Sequence, residues 1–267
     1  MPRLISISSV LLALSSLTFA KPVSTSPPNR IPTVEEAAYS ARLLLLTETF
    51  ATLSTIYPTP IDPSKPHQPP AKLAGYPVGL IDYYADCSSP FTSTTSFSSK
   101  SFPPPATATP GNPTLLSFRI VTSFKNVAAG SPLSLSIHKI TPGRSVASQP
   151  RLALMGKLKP VVASAAEGVL KCFTKRHPDA RWWTPGNKIH ESEWVEMDVE
   201  GVYWIGGFGD RAYIGWIPVE TWRGVVLKEE DVWRAWEEKG KLGVGLEGGE
   251  VVKMAPEQVV FRSEEEL

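Results

Sequence analysis

The stretch Trp194 to Ile217, WVEMDVEGVYWIGGFGDRAYIGWI, constrains this chain more than any other. Val195, Met197, Val199, Tyr203 and Ile205 predict one apolar face, while the intervening positions begin polar (Glu196, Asp198, Glu200) and turn apolar at Val202 and Trp204. That is the alternation of a half-buried strand whose second half is covered on both faces. Gly206, Gly207 and Gly209 then interrupt the pattern where a turn needs backbone free to take positive φ. Arg211 to Ile217 resumes it, with Ala212, Ile214 and Trp216 on one side. The expectation is a long antiparallel hairpin at the centre of a β-barrel or a strongly curved sheet.

The remaining segments extend that reading. Thr33-Val34-Glu35-Glu36 forms a capping box, and the helix behind it carries Ala37, Ala38, Ala41, Leu44 and Leu45 and ends near Glu48. Strands are expected at Phe50 to Ile56, Gly75 to Tyr84, Thr114 to Thr122, Leu133 to Ile137 and Arg151 to Leu158. A second capping box, Ser164 to Glu167, opens a helix that reaches about Arg176, because Pro178 disfavours α geometry at His177. Glu229 to Lys239 reads as an amphipathic helix bearing Val232, Trp233 and Trp236. All eight tryptophans lie from Trp182 onward, which predicts the densest packing there. Strands dominate without regular strand–helix alternation. The fold class is mainly β (α+β), a barrel of six or seven antiparallel strands with flanking helices.

Residues 1–20 carry Arg3, a short apolar and Ser-rich run, and small residues at Thr18 and Ala20, as a secretory signal peptide does. The run is far below the ~20 residues that span a bilayer. Residues 21–32 form a Pro/Ser-rich leader expected to be disordered. Two Pro-rich insertions, 58–70 and 88–110, interrupt the domain expected over 33–223, and a helix and tail occupy 224–267. The chain has 27 basic and 26 acidic residues, and removing the signal peptide with its one Arg brings them level. With no basic run, nucleic acid and anionic membrane surfaces are not expected partners. The expected location is extracellular or in the secretory-pathway lumen. There Cys87 and Cys172 are able to form a disulfide, or to remain two buried thiols.

Candidate chemistry is sparse. His67, His138, His177 and His190 show no metal-ligand spacing, so no metal site is expected. His177 falls at a helix end, where an imidazolium would complement the dipole. No serine lies in a GxSxG elbow, and Cys172 and His177 do not share a helix face. Gly206 to Gly209 reads as a turn, since a strand rather than a helix follows it. Thr122, Ser123 and Lys125 stand at a strand end entering a helical turn. Their hydroxyls and ammonium suit a phosphate, or else an ordinary N-cap beside an exposed lysine.

ARLLLLTETFATLSTI, GYPVGLIDYY, TSFKNVAAGSPLSLSI and FTKRHPDARWW…HESEWVEMDVEGVYWIGGFGDRAYI follow one another in the order seen in a known family. From Val34 to Trp222 the chain resembles the CREG-like proteins (cellular repressors of adenovirus early-region-stimulated genes), secreted members of the pyridoxamine 5′-phosphate oxidase-like split β-barrel superfamily. The resemblance implies a homodimer with a cofactor-type cleft between subunits. Flavin-binding relatives hold the FMN phosphate with Ser/Thr and Lys/Arg where this chain has Thr122, Ser123 and Lys125. The CREG branch is held to bind no flavin and to have no oxidase activity, and some superfamily members bind haem. The implied function is therefore a secreted, non-catalytic protein with no cofactor, acting on a protein partner of unknown identity or on a ligand. The alternative is an FMN-dependent oxidoreductase or a haem-binding protein. The chain departs from the family pattern in lacking an N-glycosylation sequon and in carrying the two Pro-rich insertions.

Overall fold

The computed structural model describes residues 30–62, 64, 68–88, 109–187 and 190–241. The signal peptide, most of the leader, most of the insertion at 88–110, His67 and the tail beyond residue 241 lie outside these.

The first helix, α1 (Val34–Thr47), begins as its capping box dictates. Thr33 Oγ1 accepts from the Glu36 amide at 3.3 Å, and Glu36 Oε2 accepts from the Thr33 amide at 2.8 Å. Its Ala37, Ala38, Ala41, Leu44 and Leu45 pack on the barrel core. The strands are β1 (Phe50–Ile56), β2 (Pro77–Ala85), β3 (Thr114–Phe118), β4 (Leu133–His138), β5 (Arg151–Pro160), β6 (Ser192–Ile205) and β7 (Ile214–Ile217). All pairings are antiparallel, in the order β3-β2-β1-β4-β5-β6-β7, and β3 also pairs with β6. Six strands therefore close into a barrel, and β7 extends β6 outside it. Among the described residues closure leaves two edges, that of β2 before Tyr84, where β3 no longer pairs with it, and that of β7.

β6 is the strand the sequence singled out, but its facing changes midway. Met155 of β5 pairs with Gly201, whereas the next residue, Gly156, pairs with Val199, so Glu200 is the extra residue of a bulge. Val195, Met197 and Val199 point into the core before the bulge, and Val202 and Trp204 after it. The single odd-numbered apolar face expected from the sequence is thus corrected. Tyr203 and Ile205 face outward, because one added residue inverts a period-two pattern. The return strand is also shorter than expected. Gly209–Arg211 form a 3₁₀ turn with Gly209 at φ 73°, and Ile214 and Trp216 of β7 point outward, half or more exposed.

Three further expectations are corrected. β3 stops at Phe118, where a turn closed by the Val121 amide on the Phe118 carbonyl (3.2 Å) begins, and α2 (Thr122–Ala128) starts three residues earlier than expected. Ser164 does not cap a helix. Residues 163–165 are already wound as a 3₁₀ turn, and α3 (Ala166–Arg176) begins at helical backbone with no side-chain cap. The tryptophans do not all build the core: Trp194, Trp204 and Trp222 are buried, but Trp182 and Trp216 are exposed. α4 (Val219–Arg223) and α5 (Glu229–Lys241) follow the barrel, and Val232 of α5 packs on Leu46 and Leu227.

Gly156 sits where the bulge presses β5 on β6. A Cβ there would drive into the Asp198 carbonyl oxygen, a backbone atom with little room to move. Gly156→Ala should lower the unfolding free energy by about 1–3 kcal/mol, as forced overpacking does. An unchanged urea midpoint would show that the two strands separate freely at this point.

Candidate functional site

Among the described residues β2 and β3 share two pairs, Tyr84 with Leu115 and Ala85 with Thr114. Above them the barrel splits, and α2 packs against β1 and β2 in the gap. Phe124 joins the core, and Asn126 donates to Thr55 Oγ1 at 3.0 Å. The three residues suited to a phosphate all lie on this helix. Ser123 is buried and its hydroxyl has no hydrogen-bond partner, Thr122 is half-buried, and Lys125 is exposed. Two positions along a helix turn a side chain by roughly 200°. The helix therefore sets Thr122 and Lys125, three apart, on one side of its first turn and aims Lys125 away from the buried Ser123. The orphaned Ser123 hydroxyl suits an acceptor, whereas the lysine would have to fold back to reach the same group.

Asp82 lies on β2 beside the split. Burial raises its carboxyl to about 6, opposed by the Tyr83 amide that donates to Oδ1 at 2.8 Å. The neighbouring Tyr83 ring stacks on His177 at 4.4 Å, and its hydroxyl donates to Asp179 at 2.6 Å. His177 is buried, with Nε2 2.9 Å from the Tyr84 carbonyl oxygen. That contact puts the ring proton on Nε2, and burial lowers the imidazole's affinity for a second proton. His177 is therefore a neutral packing group that holds α3 to β2, not the dipole-complementing imidazolium expected from its place at the helix end.

A ring of buried polar contacts closes the other end of the molecule. Arg42 of α1 pairs with Asp86 at 3.5 Å, both side chains fully buried. Asp86 Oδ1 accepts from Ser88, and Ser88 Oγ accepts from the Gly111 amide at 3.3 Å. Trp222 Nε1 donates to the Gly111 carbonyl oxygen at 3.2 Å, and Arg42 donates to the Trp222 carbonyl oxygen while lying 5.1 Å from its ring. Cys87, inside this ring, is disulfide-bonded to Cys172 of α3. Next to it Asn112 donates to Glu196 at 2.8 Å, and Arg223 donates to Asp198 at 3.1 Å. Every charge here has a partner, so the cluster reads as architecture. Among the described residues no group of three or more His, Cys, Asp or Glu is placed to hold a metal ion.

The outward face of the barrel is the remaining candidate. Strand register aligns Ile81, Thr52, Ser136, Ala153, Tyr203 and Trp216 in one row across β2, β1, β4, β5, β6 and β7. The neighbouring row holds Gly79, Ser54, Ser134, Met155 and Gly201. These rows follow the curved outer wall of the barrel, with small side chains over β1, β4 and β5 and exposed apolar groups at the two ends, Ile81 on β2 and Trp216 on β7, at 77% and 62% exposure. Beside them lies an open depression of about 210 Å³ lined by His138, Arg151, Ala153, Tyr203 and Ile205 among others. Periodicity assigns these residues outward, but nothing local in the sequence sets which of them stand opposite each other.

A closed antiparallel barrel with a gap filled by one short helix defines the split β-barrel class of proteins. The model of the CREG β-barrel family matches residues 32–223, and the chain belongs to that family. No curated protein sequence matches it. Among solved structures, the haem-binding protein of Mycobacterium smegmatis is similar at 15% identity with a TM-score of 0.51, over 74% of this chain and 63% of that one. The chain thus spans less than two thirds of that protein. HutZ, the haem storage protein of Vibrio cholerae, is similar at 10% identity over 62% of this chain and 92% of its own, with a TM-score of 0.37. An FAD-binding protein of Mesorhizobium loti is similar at 13% identity over 61% and 89%, with a TM-score of 0.35. At these identities the likeness is one of fold.

The raised Asp82 carboxyl has a consequence for stability. Its folded value of about 6 exceeds the ordinary value near 4, so between those pH values the folded chain binds more protons than the unfolded chain. Stability should therefore fall as pH rises from about 4 to 6, by about 1–2 kcal/mol from this group after allowance for its partial exposure. Asp82→Asn should flatten that part of the stability–pH curve. Equal slopes for wild type and variant in urea titrations would place the carboxyl in ordinary solvent.

Proposed function

We propose that this chain is a secreted, non-catalytic split-barrel protein that acts through protein or ligand interaction as a homodimer. The observation that carries the reading is the uncharged row on the barrel's outer wall, whose β6–β7 end sets exposed Trp216 beside Tyr203. A row of small residues bounded by Ile81, Tyr203 and Trp216 runs across six strands without an acidic or basic residue. Such a patch suits a self-complementary two-fold contact, and a stable contact of this kind buries about 1,600 Å² in total. The Cys87–Cys172 disulfide supports an oxidising compartment, as does the signal-like start of the sequence. Sedimentation equilibrium at micromolar concentration should give twice the monomer mass. The variant Ile81→Lys with Trp216→Lys should be monomeric, with a melting temperature below the wild type's that no longer depends on protein concentration, and its visible spectrum, like the wild type's, should be featureless. A monomeric wild type would overturn the dimer, and a stoichiometric flavin or Soret band would overturn the reading without cofactor.

One observation favours the alternative, an FMN-dependent oxidoreductase or a haem-binding protein of this fold. The buried Ser123 hydroxyl lacks a partner at the first turn of α2, beside Thr122 and within reach of a flexible lysine. Bound FMN would supply redox chemistry, and Thr122, Ser123 and Lys125 would do no more than hold its phosphate. On that reading FMN binds the purified protein, and Ser123→Ala and Lys125→Ala each weaken it by about tenfold. FMN affinity that neither substitution changes would remove these residues from any flavin site.

A further inference from the structure

We propose that the depression between β4, β5 and β6 is a binding site for a small carboxylic acid with an apolar body, in which Arg151 and His138 hold the carboxylate. The argument begins with register. His138 stands directly opposite Arg151, and Arg151 directly opposite Ile205, so the three side chains rise from one row of the outer face. One step along the strands Ser136, Ala153 and Tyr203 form the next row. Together these rows line the depression of about 210 Å³.

An acid on the facing strand would stabilise an arginine in a strand pair. No acid does so here. Among the described residues neither the His138 ring nor the Arg151 guanidinium has a hydrogen-bond or ion-pair partner, and Arg151 Nε is buried with its donor unused. Lys139 and Lys159 nearby in sequence each have acidic partners, and Arg42 and Arg223, whose Nε atoms are also unpaired, have Asp86 and Asp198 beside them. A buried donor without an acceptor is costly. An incoming carboxylate satisfies the guanidinium in the fork geometry that arginine favours, with a ring nitrogen of His138 as the second donor.

The walls select what is attached to that carboxylate. Ile205, Ala153 and the Tyr203 ring offer apolar and aromatic surface with few further polar groups, while Ile137 and Leu152 turn their side chains into the core. One permanent positive charge matches one negative charge, which disfavours a phosphate carrying nearly two. The volume lies below the ~300–1,000 Å³ of sites for drug-sized molecules, so the ligand is small. His138 and Arg151 lie one row beyond the Ser136–Ala153–Tyr203 row assigned to the dimer contact, so the site shares one wall with that contact and rests on His138 and Arg151 staying open at its margin.

Benzoate is the probe, with benzyl alcohol and inorganic phosphate as comparisons, titrated into the purified full-length protein while the His138 ring-proton resonance is followed by NMR. Benzoate should shift that resonance saturably, and both comparisons should bind about tenfold or more weakly, as loss of a charge-assisted pair implies. Arg151→Met should weaken benzoate by about tenfold or more while leaving the fold intact. Should that variant fail to fold, Ala153→Leu, which fills the depression, and His138→Gln carry the test, and each should lower benzoate affinity severalfold. The proposal is overturned by the absence of saturable benzoate binding, by equal affinity in these variants, or by phosphate or benzyl alcohol binding as tightly as benzoate.

Discussion

The buried pair of Arg42 and Asp86 is the contact on which the rest of the architecture depends. A fully buried ion pair is weak evidence for net stability, but leaving either partner alone costs about 3–5 kcal/mol. Its effect is therefore to specify an arrangement. Arg42 belongs to α1, Asp86 follows β2, and the ring passes through Ser88, Gly111 and Trp222 back to Arg42. Four segments distant in sequence can meet in only one way without stranding a charge. A Cβ at Gly111 would collide with the Trp222 indole, so only glycine permits this approach. The Cys87–Cys172 disulfide then ties the same corner to α3.

The second determinant is the bulge in β6. One extra residue, Glu200, lets Val199 and Val202 both face the core although they are three apart. It also puts Tyr203 on the outside, where its ring meets Trp216 edge-on at 5.1 Å. The same irregularity that completes the interior thus creates the aromatic part of the exterior face. At the opposite side of the barrel, β2 and β3 separate after two pairs, and α2 fills the space that a longer β3 would have occupied. Asp82 and Ser123, two buried polar groups with few partners, both lie at that separation, which makes it the least satisfied part of the fold.

Chemistry in this molecule is unevenly spread. The charged groups of the closed end satisfy one another, and His177 is neutralised by burial between Tyr83, Phe173 and the Tyr84 carbonyl. Among the described residues, buried polar atoms without a partner include the Ser123 hydroxyl at the first turn of α2 and Arg151 Nε in the His138–Arg151 row, besides the Thr114 hydroxyl and the Nε atoms of Arg42, Arg176 and Arg223. The first lies where β2 and β3 separate. The second arises from strand pairing particular to β4 and β5.

Local pattern alone determined α1 with its capping box, β1 over Phe50–Ile56, and the long apolar alternation of β6, because capping and side-chain periodicity act between residues a few positions apart. The order of motifs carried the family, and with it the split barrel. Pairing decided what local pattern could not. Glu200 reads as one more outward acid until β5 lies beside it, and Tyr203 as part of a core face until the bulge turns it out. Thr122, Ser123 and Lys125 read as one cluster until the helix sets Lys125 on a different side from Ser123. His138 and Arg151, thirteen residues apart across a loop, become neighbours only through the register of two strands. Registers, bulges and buried charge pairs are long-range agreements between segments, and tertiary structure is where such agreements are made.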